Sequence, residues 1–275
     1  MPSRAFEFVA LPPARSVEKP RHTGLTMMID WGLGVARQRD LLALAGDYID
    51  LVKIATGTSR LYDEQVLRDK LGVYALNHVR PLLGGQFQEY VYGTYGPDSL
   101  PEFFREARRV GFELVEISDS GVPLSAEERR RQIYLAQDFG LSVIAEVGSK
   151  TVAHGAEELI AQGKVCLEAE AELLVFEGAE LVRQGEPNAA LLNALRSSFG
   201  IAQVLFELPG PWVSHTAHSD VHDLKKWLIA EFGPDVNLAN IMPDDILETE
   251  ALRVGLSVMG PRPSVREAEV GTGGI

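Results

Sequence analysis

Short β-branched apolar runs alternate with longer amphipathic segments along the whole chain. The runs fall at residues 25–30 (LTMMID), 48–55 (YIDLVKIA), 79–85, 114–118 (LVEIS), 142–147 (SVIAEV), 173–177 (LLVFE), 203–208 (QVLFEL) and 236–241 (VNLANI). Helical periodicity follows each, at 36–45, 63–76, 99–110, 125–139, 156–170, 188–198, 221–232 and 244–256. Ser125 and Glu128 read as a capping box opening the fourth helix, and Gly140 as its αL stop. Nearly continuous apolar strands between helices predict a parallel sheet covered by helices. Eight such units in 275 residues, with no linker, predict an α/β fold with one (β/α)8 TIM barrel over 1–275 and irregular ends.

Composition narrows the class. The chain is 45% hydrophobic and lacks low-complexity tracts, which excludes a disordered chain. No run approaches the ~18–20 apolar residues of a membrane helix, so no membrane partner is expected. Residues 1–15 lack the apolar core of a secretory signal. The single cysteine, Cys166, fits a cytoplasmic protein and reads as packing. A net charge of −13 argues against nucleic acid but allows a small anionic substrate in a local positive pocket. A homo-oligomer is expected.

In such a barrel the chemistry sits at the C-terminal strand ends. The polar residues there are Asp30, Lys53, the turn Thr56–Arg60, Gly84-Gly85-Gln86, Glu116, Ser118, Asp119, Glu146, Lys150, Glu177, Glu207, Asn237 and Asn240. Carboxylates in apolar strands are costly unless paired or bound to a cation. Some could pair with Lys53, Lys150 or backbone amides simply to hold the barrel. Together they suit Mg²⁺, with Asp30, Glu146, Glu177 and Glu207 as candidate ligands. The turn Thr56–Arg60 could hold an anion with backbone amides, hydroxyls and a guanidinium, and Thr58, Ser59, Arg60, Gly84, Gly85, Ser118, Asn237 and Asn240 are the candidate substrate-binding residues. Gly32 and Gly34 lack the third glycine of a dinucleotide fingerprint. His215, His218 and His222 could bind a transition metal, but the segment reads rather as a helix start capped by Ser219 or Asp220.

The ordered motifs resemble the phosphosulfolactate synthase family. They are Lys19-Pro20-Arg21, Gly24-Leu25-Thr26, Ala45 through Lys53, Gly57-Thr58-Ser59, Gly84-Gly85 with Glu89, Gly111 through Asp119, Glu146-Val147-Gly148 with Lys150, Phe206-Glu207, Gly233-Pro234, Val236 through Ile241, and Glu250 with Leu252-Arg253. The resemblance implies a barrel that adds sulfite to phosphoenolpyruvate with Mg²⁺, giving phosphosulfolactate on a route to coenzyme M. It implies Lys150 as proton donor, with Lys53 assisting anion binding; Glu116 completes the candidate catalytic set. Plant heat-stress-associated proteins also resemble the family, so a non-catalytic relative is the alternative.

Several positions depart from the family pattern. Trp31, Ser149 and Ala179 stand where the family has Lys, Lys and Arg, and Gln86 where it has Thr. Residues 209–226 form a loop about ten residues longer, bringing the three histidines. Each lost cation removes charge-assisted binding of about 1–3 kcal/mol. Arg60, Arg80 or Arg183 could compensate. The expectation is that barrel, metal site and lysine chemistry persist while substrate choice has changed.

Overall fold

The computed structural model describes residues 5–9, 11, 15–16, 18–149, 153–183, 186–210, 212–213 and 217–257. Eight parallel strands close into a barrel: β1 (Thr26–Asp30), β2 (Leu51–Ile54), β3 (Arg80–Leu83), β4 (Leu114–Ile117), β5 (Ser142–Val147), β6 (Leu173–Phe176), β9 (Val204–Glu207) and β10 (Leu238–Ile241). A short antiparallel hairpin, β7 (Val182–Arg183) with β8 (Glu186–Pro187), is inserted between β6 and β9. The (β/α)8 barrel expected from the apolar periodicity is the fold observed.

Strand alternation divides the apolar residues into two separate clusters. Met27, Leu51, Leu82, Leu114, Ile144, Val175, Leu205 and Ala239 fill the barrel interior. Their neighbours Met28, Val52, Leu83, Val115, Val143, Leu174, Phe206 and Leu238 face outward and join the helices in an annular core. This double burial is why the strands read as unbroken apolar runs.

The outer layer is α1 (Val35–Ala45), α2 (Glu64–Leu76), α3 (Gly85–Tyr95), α4 (Leu100–Val110), α5 (Ala126–Asp138), α6 (Ala156–Glu168), α7 (Gly178–Leu181), α8 (Ala189–Ser198), α9 (His218–Phe232) and α10 (Ile246–Arg253). Helix α4 shows the local logic. Leu100, Phe104, Ala107 and Val110 make its buried stripe, and Gly111 at φ 115° ends it in the left-handed region. Ser125 caps α5 by accepting from the Glu128 amide at 3.1 Å. The Glu128 carboxylate pairs with Arg131 and Gln132, so the serine half of the expected capping box carries that helix start.

Helices α3 and α7 and the β7–β8 hairpin went unread in the sequence. The third unit holds two helices, α3 and α4, where the apolar period showed only the second. Two of the buried residues of α3 are Gln88 and Glu89, so its inward face carries no apolar stripe. Helix α7 and the β7–β8 hairpin are too short to impose a period.

Polar groups close the N-terminal end of the barrel. Arg15 is bidentate to Glu250, and Arg21 to Asp50. Asn237 accepts from the Leu25 amide at 2.9 Å and donates to the carbonyls of Ile201 and Val204. The fully buried Arg253 donates to the carbonyls of Pro234, Val236 and Leu25. That leaves the opposite end for chemistry.

Candidate active site

At the C-terminal strand ends the interior layer changes from apolar to charged. Lys53, Glu116, Glu146 and Glu207 each stand two residues beyond an interior residue: Leu51, Leu114, Ile144 and Leu205. Strand alternation therefore points all four into the lumen. Lys53 Nζ lies 2.7 Å from Glu116 Oε1, 3.0 Å from Glu207 Oε2 and 4.0 Å from Glu146 Oε2. All four side chains are buried. The three carboxylates can each offer one oxygen such that these oxygens lie within 4.8 Å of one another.

Electrostatics follow from this crowding. Burial alone would lower the Lys53 pKa, but the three surrounding carboxylates hold it well above the ordinary lysine value. Burial pushes the Glu116 carboxyl up to about 7; Lys53 opposes this, while Glu146 and Glu207 add to it. Three carboxylates facing one ammonium carry more negative charge than the site neutralises.

A cavity of about 220 Å³ opens above this floor. One wall is Thr56, Gly84, Gly85 and Gln86, from the β2 end and the start of α3. The N-cap residue of α3, Gly84, has no side chain to cap the helix, and the Gly85 amide donates instead to Glu116 Oε2 at 2.8 Å. A Cβ on Gly85 would lie 2.5 Å from the Ser118 Cβ, so glycine lets the helix start approach β4. The other wall is Ile29, Asn240, Trp31 and Trp212.

The remaining candidates lie elsewhere. Asp30 is fully buried against α2, accepting from Lys70 Nζ and Tyr74 Oη, each at 2.6 Å, and from the amides of Gly32 and Leu33. These bonds fix the loop that carries Trp31. Glu177 accepts from the Ala179 amide as the N-cap of α7. Thr58 Oγ1 donates to the Ala55 carbonyl, while Ser59 and Arg60 line a different groove, beside Phe87 and Phe103. Ser118 Oγ donates to Glu89 Oε1 at 2.5 Å. Asn237 sits at the opposite barrel end, as described above. Lys150 and His215 lie outside the described residues. His218 begins α9, His222 faces Glu248 at 3.5 Å, and Asp220 Oδ2 accepts from the Ala217 amide. Arg80 pairs with Glu172 at the N-terminal end of β3.

Two contributors, Glu89 and Trp212, were not singled out as site residues. Glu89 is buried and accepts from Ser118, Ser120 and the amides of Gly121 and Val122, so it shapes the loop after β4. It stood among the family-like motifs, but on a helix with no readable period its inward direction gave no signal. Trp212 lines the cavity from a loop, where no periodicity applies; of the expected anion-binding turn, Thr56 lines it too.

A (β/α)8 barrel with its buried ionic cluster at the C-terminal strand ends has the layout of a barrel enzyme. The chain belongs to the (2R)-phospho-3-sulfolactate synthase (ComA) family, whose pattern it matches over residues 14–258. It is 32% identical over 263 residues to the phosphosulfolactate synthase of Methanothermobacter thermautotrophicus, covering 92% of this chain and 95% of that protein. With the phosphosulfolactate synthase of Methanocaldococcus jannaschii the identity is 33% over 245 residues, covering 85% and 92%. Among solved structures, 3-hexulose-6-phosphate synthase from Salmonella typhimurium shares the fold at TM-score 0.52 and 13% identity, covering 84% of this chain and 98% of that one. Family and relatives together support a lyase-type enzyme. Among the described residues no helix is long and apolar enough to cross a membrane.

Proposed function

We propose that this protein catalyses a Mg²⁺-dependent addition of a sulfur nucleophile to phosphoenolpyruvate or a related enol phosphate, sulfite being the nucleophile the family name implies. The observation that carries this reading is the buried Glu116–Glu146–Glu207 triad around Lys53 at the strand ends of a family member.

The residues fit a divalent cation. The triad can offer three carboxylate oxygens within 4.8 Å of one another, the hard oxygen donors that a small divalent cation prefers. Three carboxylates against one lysine leave two negative charges for the cation to balance. Glu116, Glu146 and Glu207 would hold it. When bound, it supplies Lewis-acid stabilisation for the oxyanion that develops from the substrate carboxylate.

The chain's own groups divide the remaining work. The start of α3 lines the cavity at Gln86, beyond the Gly85 amide that Glu116 takes, and its dipole favours the phosphate there. Lys53 attracts the substrate carboxylate and holds Glu116 and Glu207 in place. Sulfur bonds to the terminal methylene carbon, and the π pair moves to the carbon bearing phosphate. Lys150, three positions after Val147 in the sequence, is the proposed donor of the proton to that carbon.

The test is loss of the vinyl proton signals of phosphoenolpyruvate when folded protein is given Mg²⁺ and sulfite. Conversion that stops with chelator and falls at least a hundredfold in Lys150→Ala is expected. No conversion with any sulfur nucleophile, from protein whose Tm rises with Mg²⁺ and phosphoenolpyruvate, would remove the addition reading.

A further inference from the structure

The wall of the cavity opposite α3 is unsuited to an inorganic anion. Trp31 and Trp212 pack with ring centroids 5.1 Å apart and planes at 53°, and remain 41% and 36% exposed. Both are held by their loops. Asp30 Oδ1 accepts from the amides of Gly32 and Leu33 at 2.8 Å, fixing the turn through Trp31. A Cβ on Gly210 would lie 2.2 Å from the Trp212 ring, so only glycine there lets that indole fold back.

Asn240 belongs to the same wall. Strand β10 is bulged: Leu238 pairs with Thr26 but Ile241 with Met28, three steps against two. Asn240 occupies the left-handed region at φ 60°, a conformation asparagine tolerates better than most residues. The bulge brings it to the cavity, 7% exposed. Its Oδ1 is buried and has no hydrogen-bond partner among the described residues. A buried acceptor left unpaired costs about 1–3 kcal/mol, so this atom calls for a donor on a ligand.

These features share one chemistry. The wall offers two indole faces and one unpaired acceptor. Among the described residues lining the cavity, the only cation is Lys53, ion-paired with Glu116 and Glu207. Sulfite dianion brings charge and acceptors, which neither the indole faces nor the Asn240 carbonyl can pair with. An uncharged group with a donor and an apolar flank matches every feature.

Resting on the addition reading above, we propose that the Trp31–Trp212–Asn240 wall is the nucleophile subsite and that it takes a neutral organic thiol in preference to sulfite. The S–H donates to Asn240 Oδ1 while the substituent lies on the indoles, where sulfur–aromatic contact adds to the burial. The balance is simple. The S–H bond breaks and sulfur bonds to the methylene carbon. The π pair takes one proton at the phosphate-bearing carbon, so the proton lost equals the proton gained. The product is a thioether, no group leaves and no oxidant is needed.

Calorimetry on the full-length, Mg²⁺-loaded protein tests the subsite with benzyl mercaptan and sodium sulfite as probes. The thiol should bind at least tenfold more tightly than sulfite. Trp212→Ala and Asn240→Gly should each weaken it about tenfold; glycine accepts the φ 60° backbone, so that variant keeps the fold. Asn240→Asp, which retains an acceptor, should stay within threefold. Tighter binding of sulfite, or thiol binding unchanged in both weakening variants, overturns the subsite. Phosphoenolpyruvate is then added and adducts are followed by mass spectrometry. Thiol binding as predicted with no adduct from either nucleophile removes the addition reading and leaves the subsite standing. A sulfite adduct with no thiol binding removes the subsite and leaves the addition reading.

Discussion

Replacing Lys53 by Met tests whether the carboxylate triad is one electrostatic unit. The side chain keeps its bulk and loses the ammonium that sits 2.7 Å from Glu116 and 3.0 Å from Glu207. All the partners are buried, so solvent does not screen the loss. Removing one member of a buried pair costs about 3–5 kcal/mol. At about 2–4 °C per kcal/mol for a domain near this size, the metal-free variant should melt about 6–20 °C below the parent at pH 8. The pH dependence has a definite sign. Glu116 has a folded pKa of about 7, above the ordinary 4.5 of its unfolded state, so folding takes up a proton between those values. Stability from this group is full below the unfolded value and is lost as pH rises through 7. Lys53 stays charged throughout that range, since its pKa lies well above the usual value. The Lys53→Met deficit should therefore shrink as pH falls from 8 toward 5, because protonation removes the uncompensated charge. Mg²⁺ should also restore stability, adding about 2.7 kcal/mol at a hundred times its Kd. Thermal melts at both pH values, with and without Mg²⁺, give the answer. Equal Tm for the two proteins at pH 8 without metal would refute the coupling.

Asp30→Asn removes the buried counter-ion of Lys70 and should cost about 3–5 kcal/mol in urea unfolding. Its Mg²⁺ affinity should stay within threefold, because Asp30 faces α2 rather than the triad; a tenfold loss by calorimetry would place it among the ligands. Gly85→Ala forces a Cβ to 2.5 Å from Ser118 and should destabilise by about 1–3 kcal/mol, with a matching loss in chemical denaturation. Cys166 is fully buried, and burial pushes its thiol up to about 11. Iodoacetamide should label it only at the rate of unfolding; fast labelling of native protein at pH 8 would contradict that burial.

The site was legible wherever strand parity alone decides direction. Leu51 and Lys53, Leu114 and Glu116, Ile144 and Glu146, and Leu205 and Glu207 are pairs two apart on apolar strands, so one interior residue fixes the next. The same parity assigns Asp30 to the outer face, since Ile29 lines the cavity, and Lys70 and Tyr74 of α2 receive it there. Glu177 has the right spacing from Val175, but the chain turns into α7 first and its carboxylate caps the Ala179 amide. Asn237 has the parity of Ala239 and lies one pleat lower, at the closed end of the barrel.

Where backbone irregularity intervenes, sequence spacing loses its meaning. A regular β10 would turn Asn240 outward between Ala239 and Ile241; the bulge brings it to the cavity instead, and a bulge is a property of two paired strands. Thr58, Ser59 and Arg60 follow β2 as an anion-binding turn should, yet a 3₁₀ turn directs Ser59 and Arg60 toward Phe87 and Phe103. Trp31 and Trp212 meet although 181 positions separate them, because Asp30 and Gly210 shape two loops independently. The floor of the site is thus set by strand periodicity, and its walls by local hydrogen bonds and close approaches. The floor carries charge arranged for a cation, whereas the walls meet whatever reacts above it. A relative that keeps Lys53 and the three glutamates but changes position 31, 212 or 240 should keep its metal affinity and alter its choice of nucleophile.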